Sequence, residues 1–207
     1  MHVKITIEST SLPNKLDQRG SSLIEVLVSM MVFSVALLGL ANLQVVSKQN
    51  NHDAIQRVTA TLLTKDIITK MQSNATALAQ YVSATGTRTL GRTSIELEPA
   101  PNCQGEATPC STAELAAHDL WQWEQAIDGT SETKNGASVG GMLLPTGCIS
   151  GPSTGDAGIY TIAIAWRGKA KLRNSTASTC GEATGLYGET NEYRRVIVVR
   201  TFLDNQM

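Results

Sequence analysis

The chain begins with a polar segment, which gives way at residue 21 to a long apolar run. Residues 21–46 read SSLIEVLVSMMVFSVALLGLANLQVV, and Glu25 is the one charged side chain among them. A helix of about 20 consecutive apolar residues is long enough to cross the hydrocarbon core of a bilayer. The pattern therefore predicts a membrane-spanning helix close to the N-terminus.

After residue 47, apolar residues still recur at helical spacing, but charged residues now lie between them. Apolar side chains recur at Ile55, Val58, Leu62, Leu63, Ile67 and Met71. No proline occurs between residues 15 and 98, so we predict one nearly continuous helix over about residues 22–75, roughly 80 Å long at about 1.5 Å per residue. A coiled-coil anchor would give a similar pattern, but residues 47–80 lack the sustained heptad that such an anchor requires.

After Tyr81 the pattern changes to short strands separated by loops. The predicted strands cover Ser94–Glu98, Gly147–Ser150, Tyr160–Trp166 and Arg194–Phe202, with loops at residues 102–110 and 151–158. Strands that follow a long helix are typical of an α+β fold, in which an antiparallel sheet packs against the helix.

A second helix is predicted to begin after Ser111, because Glu114 lies three residues on and completes a capping box. Its expected apolar face carries Trp123, which we interpret as a core residue. The other members of that face are Ala116, Leu120 and Ile127. Three acidic residues of the same helix, Asp119, Glu124 and Asp128, are interpreted as a solvated face.

Four cysteines lie in the second half of the chain, at Cys103, Cys110, Cys148 and Cys180. An even number at wide spacing predicts two disulfides in an oxidising compartment. A zinc site is the alternative, but it favours closely spaced ligand pairs and nearby histidines, and the chain has three histidines in all. Three pairings are possible. We favour Cys148 with Cys180, because each lies near a predicted strand, which leaves Cys103 and Cys110 to close a short loop.

The polar segment before the apolar run helps to decide whether the run is a secretory signal, a plain signal anchor or a membrane helix that is cleaved at its start. Its basic residues, Lys4, Lys15 and Arg19, predict a cytoplasmic N-terminus, with the rest of the chain across the membrane. A secretory signal would place its small cleavage residue after the apolar core, whereas Gly20 precedes it. In a plain signal anchor, Glu25 would simply lie at the headgroup interface. Otherwise a carboxylate in the membrane needs a partner, such as an amine freed at Ser21 of a neighbouring subunit.

The stretch Gly20-Ser-Ser-Leu-Ile-Glu25-Val-Leu-Val resembles the prepilin cleavage and methylation motif. The resemblance implies a prepilin peptidase that cuts after Gly20, with Ser21 as the new and N-methylated terminus and Glu25 as the assembly glutamate. The family usually has Phe after the cut, where this chain has Ser21. The implied organisation is a leader over residues 1–20, a spine helix over 21–80 with its membrane and assembly part at 21–46, and a globular domain over 81–207.

Weaker similarities to PilV-type minor pilins extend further along the chain. They cover residues 66–74, the stretch 110–123, Leu144-Pro145 and the strand 160–166. They imply a structural subunit of the type IV pilus, which acts in its assembly and contacts other major and minor pilins through the N-terminal helix. The implied location is the inner membrane, single-pass with the globular domain in the periplasm, and then the cell-surface pilus.

Other functional classes have less support in the sequence. A type II secretion pseudopilin would share the N-terminal motif and remains the alternative, as does a binding module displayed on the fibre. A formal net charge of −1 and 4% aromatic residues argue against a nucleic-acid partner. Two Gly-x-Ser-x-Gly matches, at residues 136–140 and 151–155, lack the expected strand–turn–helix context. We therefore expect no enzymatic activity, cofactor or metal.

Overall fold

The computed structural model describes residues 22–92, 94–95, 97–105, 109–130, 133–135, 137–138 and 140–205. The chain divides into two compact units, Met1–Ser47 and Lys48–Met207. Helix α1, Leu23–Ser73, provides the described part of the first unit and continues into the second. This confirms the long helix that the sequence predicts.

Within the second unit, the buried face of α1 matches the apolar set read from the sequence in part, because it includes Ile67 and Met71. The buried positions follow a spacing of three or four residues and are Gln56, Ala60, Thr64, Ile67 and Met71. Ile55, Val58 and Leu62 lie on a different side of the helix and are more than half exposed. The two buried polar residues are accommodated because Thr64 donates to the Ala60 carbonyl and Gln56 accepts from the Leu143 amide.

The second unit is an α+β domain. After a 3₁₀ turn at Ala75–Ala77, its elements are α2 (Leu78–Tyr81), β1 (Thr87–Leu90), α3 (Thr112–Asp128), β2 (Thr133–Lys134), β3 (Ala137–Ser138), β4 (Thr146–Ser150), β5 (Gly158–Arg167), a 3₁₀ turn at Glu182–Thr184, and β6 (Arg194–Leu203). Four strands form an antiparallel sheet in the order β1-β4-β5-β6, and β2 and β3 form a separate hairpin. Strands β4, β5 and β6 confirm three of the four predicted strands.

The antiparallel sheet packs against the helices, which confirms the α+β prediction, and β5 contributes side chains to an apolar cluster on each face of the sheet. Tyr160, Ile162, Ile164 and Trp166 join the larger cluster, which contains residues of α1 and α3. Ala163 and Ala165 of the same strand join a smaller cluster on the opposite face. Alternating side chains of one strand point to opposite faces of a sheet. The sheet is therefore covered on both sides along this strand.

Helix α3 begins and packs as its sequence predicts. The Ser111 side chain caps the Glu114 amide while the Glu114 carboxylate binds the Ser111 amide, which is the predicted capping box. The expected apolar face is buried, and Trp123 is fully enclosed. Gly147 of β4 permits this packing, because a Cβ there would lie 2.7 Å from the Trp123 ring. Helix α3 and strand β4 therefore approach each other more closely than a larger residue at position 147 would allow.

The predicted strand at Ser94–Glu98 is wrong. The described residues of that stretch form bends and irregular structure, whereas the strand that pairs with β4 is the unpredicted β1. The physical reason lies in α3. The amides of Ser94 and Ile95 donate to the Glu124 carboxylate at 2.7 and 2.6 Å, so these donors do not face a neighbouring strand.

Candidate assembly site

Glu25 lies in the first turn of α1, where its amide donates to the Ser22 carbonyl at 2.8 Å. A negative charge in the first turn interacts favourably with the helix dipole, so the position suits a helix N-terminus. The two predicted processing residues, Gly20 and Ser21, lie outside the described residues.

The helix around Glu25 presents apolar side chains on every side. Leu23 is 78% exposed, and Met31 is 72% exposed. An 18-residue window of α1 has a mean hydropathy of 2.4, and none of that window is buried within the chain. Helix α1 is thus long and apolar enough to cross a membrane. An exposed apolar surface of this extent indicates contact with lipid or with other proteins.

The hydroxyl groups within this apolar stretch are satisfied by the helix itself. Ser29 donates to the Glu25 carbonyl at 2.6 Å, and Ser34 donates to the Met30 carbonyl at 2.7 Å. Such bonds to the preceding turn allow serine to lie in an apolar helix without a donor left unpaired. Neither serine therefore needs an external partner.

The Glu25 carboxylate differs from these hydroxyls, because it has no hydrogen-bond or ion-pair partner among the described residues. It is also the one ionisable group between residues 22 and 47. A carboxylate in an apolar environment costs several kcal/mol unless it is paired. The arrangement can therefore hold a cation that another molecule, or another copy of the chain, supplies.

Both disulfides have the predicted pairing. Cys103 joins Cys110 with a Cα–Cα distance of 5.7 Å, and Cys148 joins Cys180 with a Cα–Cα distance of 5.9 Å. The first closes a short loop before α3. The second attaches the segment after β5 to strand β4, because Cys148 lies in β4 and Cys180 lies between β5 and β6.

The acidic residues of α3 do not form a solvated face, so that interpretation is wrong. Glu124 is fully buried, and its carboxylate accepts the amides of Gly91, Ser94 and Ile95. Asp119 is 8% exposed. These two side chains hold neighbouring segments in place, and the sequence pattern of α3 alone gives no sign of those segments.

Asp119 belongs to a polar cluster that connects α3 with α2 and α1. Its Oδ2 accepts the Tyr81 hydroxyl at 2.5 Å, and its Oδ1 lies 3.9 Å from Lys70 Nζ. Asn74 donates to Tyr81 and to the Thr112 carbonyl. Burial, together with the bond to Asp119, raises the pKa of Tyr81 well above its usual value, so the phenol stays protonated as a donor.

The third acidic residue, Asp128, accepts the Arg92 amide at 2.8 Å. It therefore also contacts the segment that follows β1, as Glu124 does.

Arg194, the first residue of β6, is a structural residue that the sequence analysis missed. Arg194 is 1% exposed, and its guanidinium donates to the carbonyls of Ser175, Ser178 and Cys180. It also pairs with the Glu182 carboxylate at 2.8 Å. Burial lowers the pKa of Arg194, and the charge of Glu182 opposes that shift. In the sequence it is one of two adjacent arginines, with nothing to indicate that it is enclosed.

The second Gly-x-Ser-x-Gly match forms the connection between β4 and β5. Ser153 lies in a turn that is followed by strand β5, whereas a nucleophile elbow leads into a helix. Gly136 and the side chain of Ser138, from the first match, lie outside the described residues.

Comparison with known families gives two matches that adjoin each other along the chain. Residues 15–41 match the prokaryotic N-terminal methylation motif. Residues 42–121 match the Tt1218-like family, described as type IV pilin Tt1218. Neither the curated proteins nor the solved structures yielded a significant match.

The boundary between the two matches, at residues 41 and 42, lies close to the boundary between the two structural units, at Ser47 and Lys48. The methylation motif contains Glu25 and most of the exposed apolar part of α1, and the second match runs from the rest of α1 into α3. Together with the α+β pilin-like fold, these matches support the assignment of this chain as a type IV pilin.

Proposed function

We propose that this chain is a minor pilin, a structural subunit made as a precursor and built into a type IV pilus through the apolar part of α1. The observation that carries the proposal is Glu25, an unpaired carboxylate in the first turn of an exposed apolar helix. The matched methylation motif supports it, because that motif implies processing by a prepilin peptidase and assembly with other pilins.

Cleavage between Gly20 and Ser21 would place Glu25 at the fifth position of the mature chain. It would also create an amino group at Ser21, one helical turn from that carboxylate. We propose that the amine of one subunit pairs with Glu25 of a neighbour in the filament. N-methylation of Ser21 would preserve this pairing, because a methylated amine keeps its positive charge.

The pairing would make assembly selective for correct axial position. In an apolar helix bundle an unpaired charge is strongly unfavourable, whereas two opposite charges in contact are tolerated. Each subunit would bring one amine and one carboxylate, so a subunit added to the growing filament would satisfy the free group of the subunit before it. Misplaced subunits would leave both groups unpaired.

The proposed topology is a single pass through the inner membrane, with the N-terminus in the cytoplasm and the globular domain in the periplasm. Lys4, Lys15 and Arg19 support the cytoplasmic placement of the leader. The two disulfides support an oxidising compartment for the domain. Assembly would then move the domain to the cell surface as part of the pilus.

Leader removal is the first test. Intact-mass measurement of the chain from wild-type cells should show the loss of residues 1–20, and the same measurement in cells without prepilin peptidase should show the full precursor. The physical reason is that the cut lies just before the apolar helix, so a polar leader is lost while the anchor stays. Retention of the leader in cells with an active peptidase would contradict the proposal.

Deletion of the chain separates a pilus role from a secretion role. We expect mutant cells to lose surface pili while type II secretion continues at the wild-type level. Normal pili with defective secretion would instead indicate a pseudopilin. Complementation with the wild-type chain controls for effects on neighbouring genes.

A further inference from the structure

A groove of about 450 Å³ lies within the second unit, between α1, the ends of β5 and β6, and the segment at residues 172–175. We call it the arginine groove and define it by Asp53, Arg57, Trp166, Leu172, Arg173 and Arg195, which line it. No part of the assembly site contributes to it.

The arginine groove has an excess of positive charge. Arg57 and Arg173 are exposed, and within the described part of the chain neither guanidinium has a hydrogen-bond or ion-pair partner. Arg195 is half-buried and donates to the Ala170 carbonyl at 2.6 Å. Asp53 is the one carboxylate among the lining residues. Three guanidinium groups thus face one carboxylate.

Arg194 also lines the groove, but it does not add to the excess charge. Its donors are already bonded to the carbonyls of the 175–180 segment, and Glu182 balances its charge at 2.8 Å. Arg194 therefore supports the wall of the groove, and the groups free to bind a ligand are those of Arg57 and Arg173.

Trp166 forms part of the groove wall and carries a buried donor. Trp166 is 2% exposed and lines the groove, yet its indole N–H has no hydrogen-bond partner among the residues that the structure describes. A buried donor without an acceptor costs about 1–3 kcal/mol, so such groups are rare in folded proteins.

One edge of the arginine groove adjoins exposed apolar residues on the outer side of α1, because Val58 lies one helical turn after Ala54, which lines the groove. Ile55, Val58 and Leu62, on the same helix as Arg57, are 56%, 59% and 61% exposed. We call these three residues the apolar stripe. Protein interfaces combine apolar contact with arginine, which is enriched there relative to the rest of the surface. A protein partner fits this combination better than a free anion, because a free anion would leave the stripe exposed.

We propose that the arginine groove and the apolar stripe bind an acidic segment of another pilin subunit. Carboxylates suit the groove because they form bidentate pairs with guanidinium groups. Asp53 and Arg57 lie only six and ten residues after Ser47 along α1, the helix that the proposed function places in the filament. The inference therefore rests on the proposed function for the identity of the neighbour.

The direct test measures binding of an oligoglutamate peptide to the full-length protein in detergent micelles. The variant Arg57→Glu/Arg173→Glu should bind the peptide at least about tenfold more weakly than wild type, because charge reversal replaces attraction with repulsion. Arg200→Glu is the matched control, since Arg200 is an exposed arginine of β6 outside the groove. Its affinity should change little.

Retention of both disulfides and of the wild-type circular dichroism spectrum will show that the variants are folded. Equal peptide affinity of the folded double variant and the Arg200→Glu control would overturn the proposal.

A second measurement separates this inference from the proposed function. In cells, the double variant should reach the membrane normally and be depleted from sheared pili, whereas Arg200→Glu should enter pili at the wild-type level. Normal entry of the double variant would overturn the docking role even if the peptide binds. Absence of the wild-type chain from pili would instead refute the proposed function, while the peptide measurement would still report on the groove.

Discussion

At the scale of single residues, two enclosed charges organise the loops of the globular domain through backbone groups. Glu124 is fully buried and accepts three amides from the segment after β1. Arg194 is enclosed by the segment before β6 and donates to three of its carbonyls. Buried charges are tolerated where hydrogen bonds replace the lost water. Each charge therefore fixes a loop that has little apolar surface of its own.

Glu124→Gln should destabilise the domain by about 1–3 kcal/mol, because one amide that now faces a carboxylate oxygen would then face an NH₂ donor. Urea denaturation of the full-length protein in detergent, followed by tryptophan fluorescence, measures the change. Glu189→Gln, at an exposed glutamate, is the control and should have almost no effect. Equal stability of the two variants would refute the structural role of Glu124.

Arg194→Met should cost on the order of 3 kcal/mol, because it leaves the Glu182 carboxylate without its ion-pair partner and several carbonyls without a donor. The same denaturation measurement applies, with Arg200→Met as a matched change on the same strand. We also expect faster proteolysis of residues 168–193 in the Arg194 variant. A variant as stable as the control would show that the 174–182 segment does not depend on this arginine.

These residue roles explain one limit of sequence-based prediction. The sequence pattern identifies Trp123 as a core residue, because its neighbours on α3 share a helical period. It misplaces Glu124, because an acidic residue in a helix is usually solvated and its backbone partners are about 30 residues earlier in the chain. Arg194 is missed for the same reason, since its carbonyl partners lie in a loop without a recognisable pattern.

At the scale of elements, local sequence signals such as caps and alternating residues predict helices and strands, but they fail for a strand whose pairing partner is distant in the sequence. The capping box fixes the start of α3, and alternating or β-branched residues predict β5 and β6. The short strand β1, with the sequence TRTL, has no local signal of comparable strength, and its pairing with β4 joins residues 63 positions apart at Thr87 and Ser150. The sequence of Ser94–Glu98 looks more like a strand than that of β1 does, but two of its amides donate to Glu124 of α3 and not to a neighbouring strand.

The two disulfides should contribute unequally to stability. Removal of the Cys148–Cys180 bridge by double alanine substitution should cost about 3.7 kcal/mol, and removal of Cys103–Cys110 about 2.5 kcal/mol, because the longer loop restricts the unfolded chain more. The sequence separations are 32 and 7. Denaturation of both double variants beside wild type measures the difference. A larger loss from the shorter loop would contradict this explanation.

At the scale of the whole molecule, the chain combines an exposed apolar helix segment with a domain that has its own core. The described residues before Lys48 are all exposed, whereas the second unit encloses apolar clusters on both faces of its sheet. A protein with this division needs lipid or other subunits around its first part. The family matches support a type IV pilin, for which the membrane and then the filament would supply that environment.

The central claim is that Glu25 acts in assembly by pairing with a cation from a neighbouring subunit. Glu25→Gln and Glu25→Leu should therefore insert into the membrane and lose the leader as wild type does, since neither change disturbs Gly20 or the apolar run. A glutamate that only reaches the headgroup interface would allow both variants to function normally. Ser29→Ala is the matched control, because Ser29 lies one turn further along the same helix and is satisfied internally.

The decisive measurement is the amount of each variant in the membrane fraction and in sheared pili from the same cells. We predict wild-type amounts in the membrane and at least about a tenfold loss from pili for both Glu25 variants, because an unpaired amine would remain in the apolar helix bundle. The Ser29→Ala control should enter pili normally. Wild-type amounts of either Glu25 variant in pili, with wild-type pilus numbers, would contradict the account.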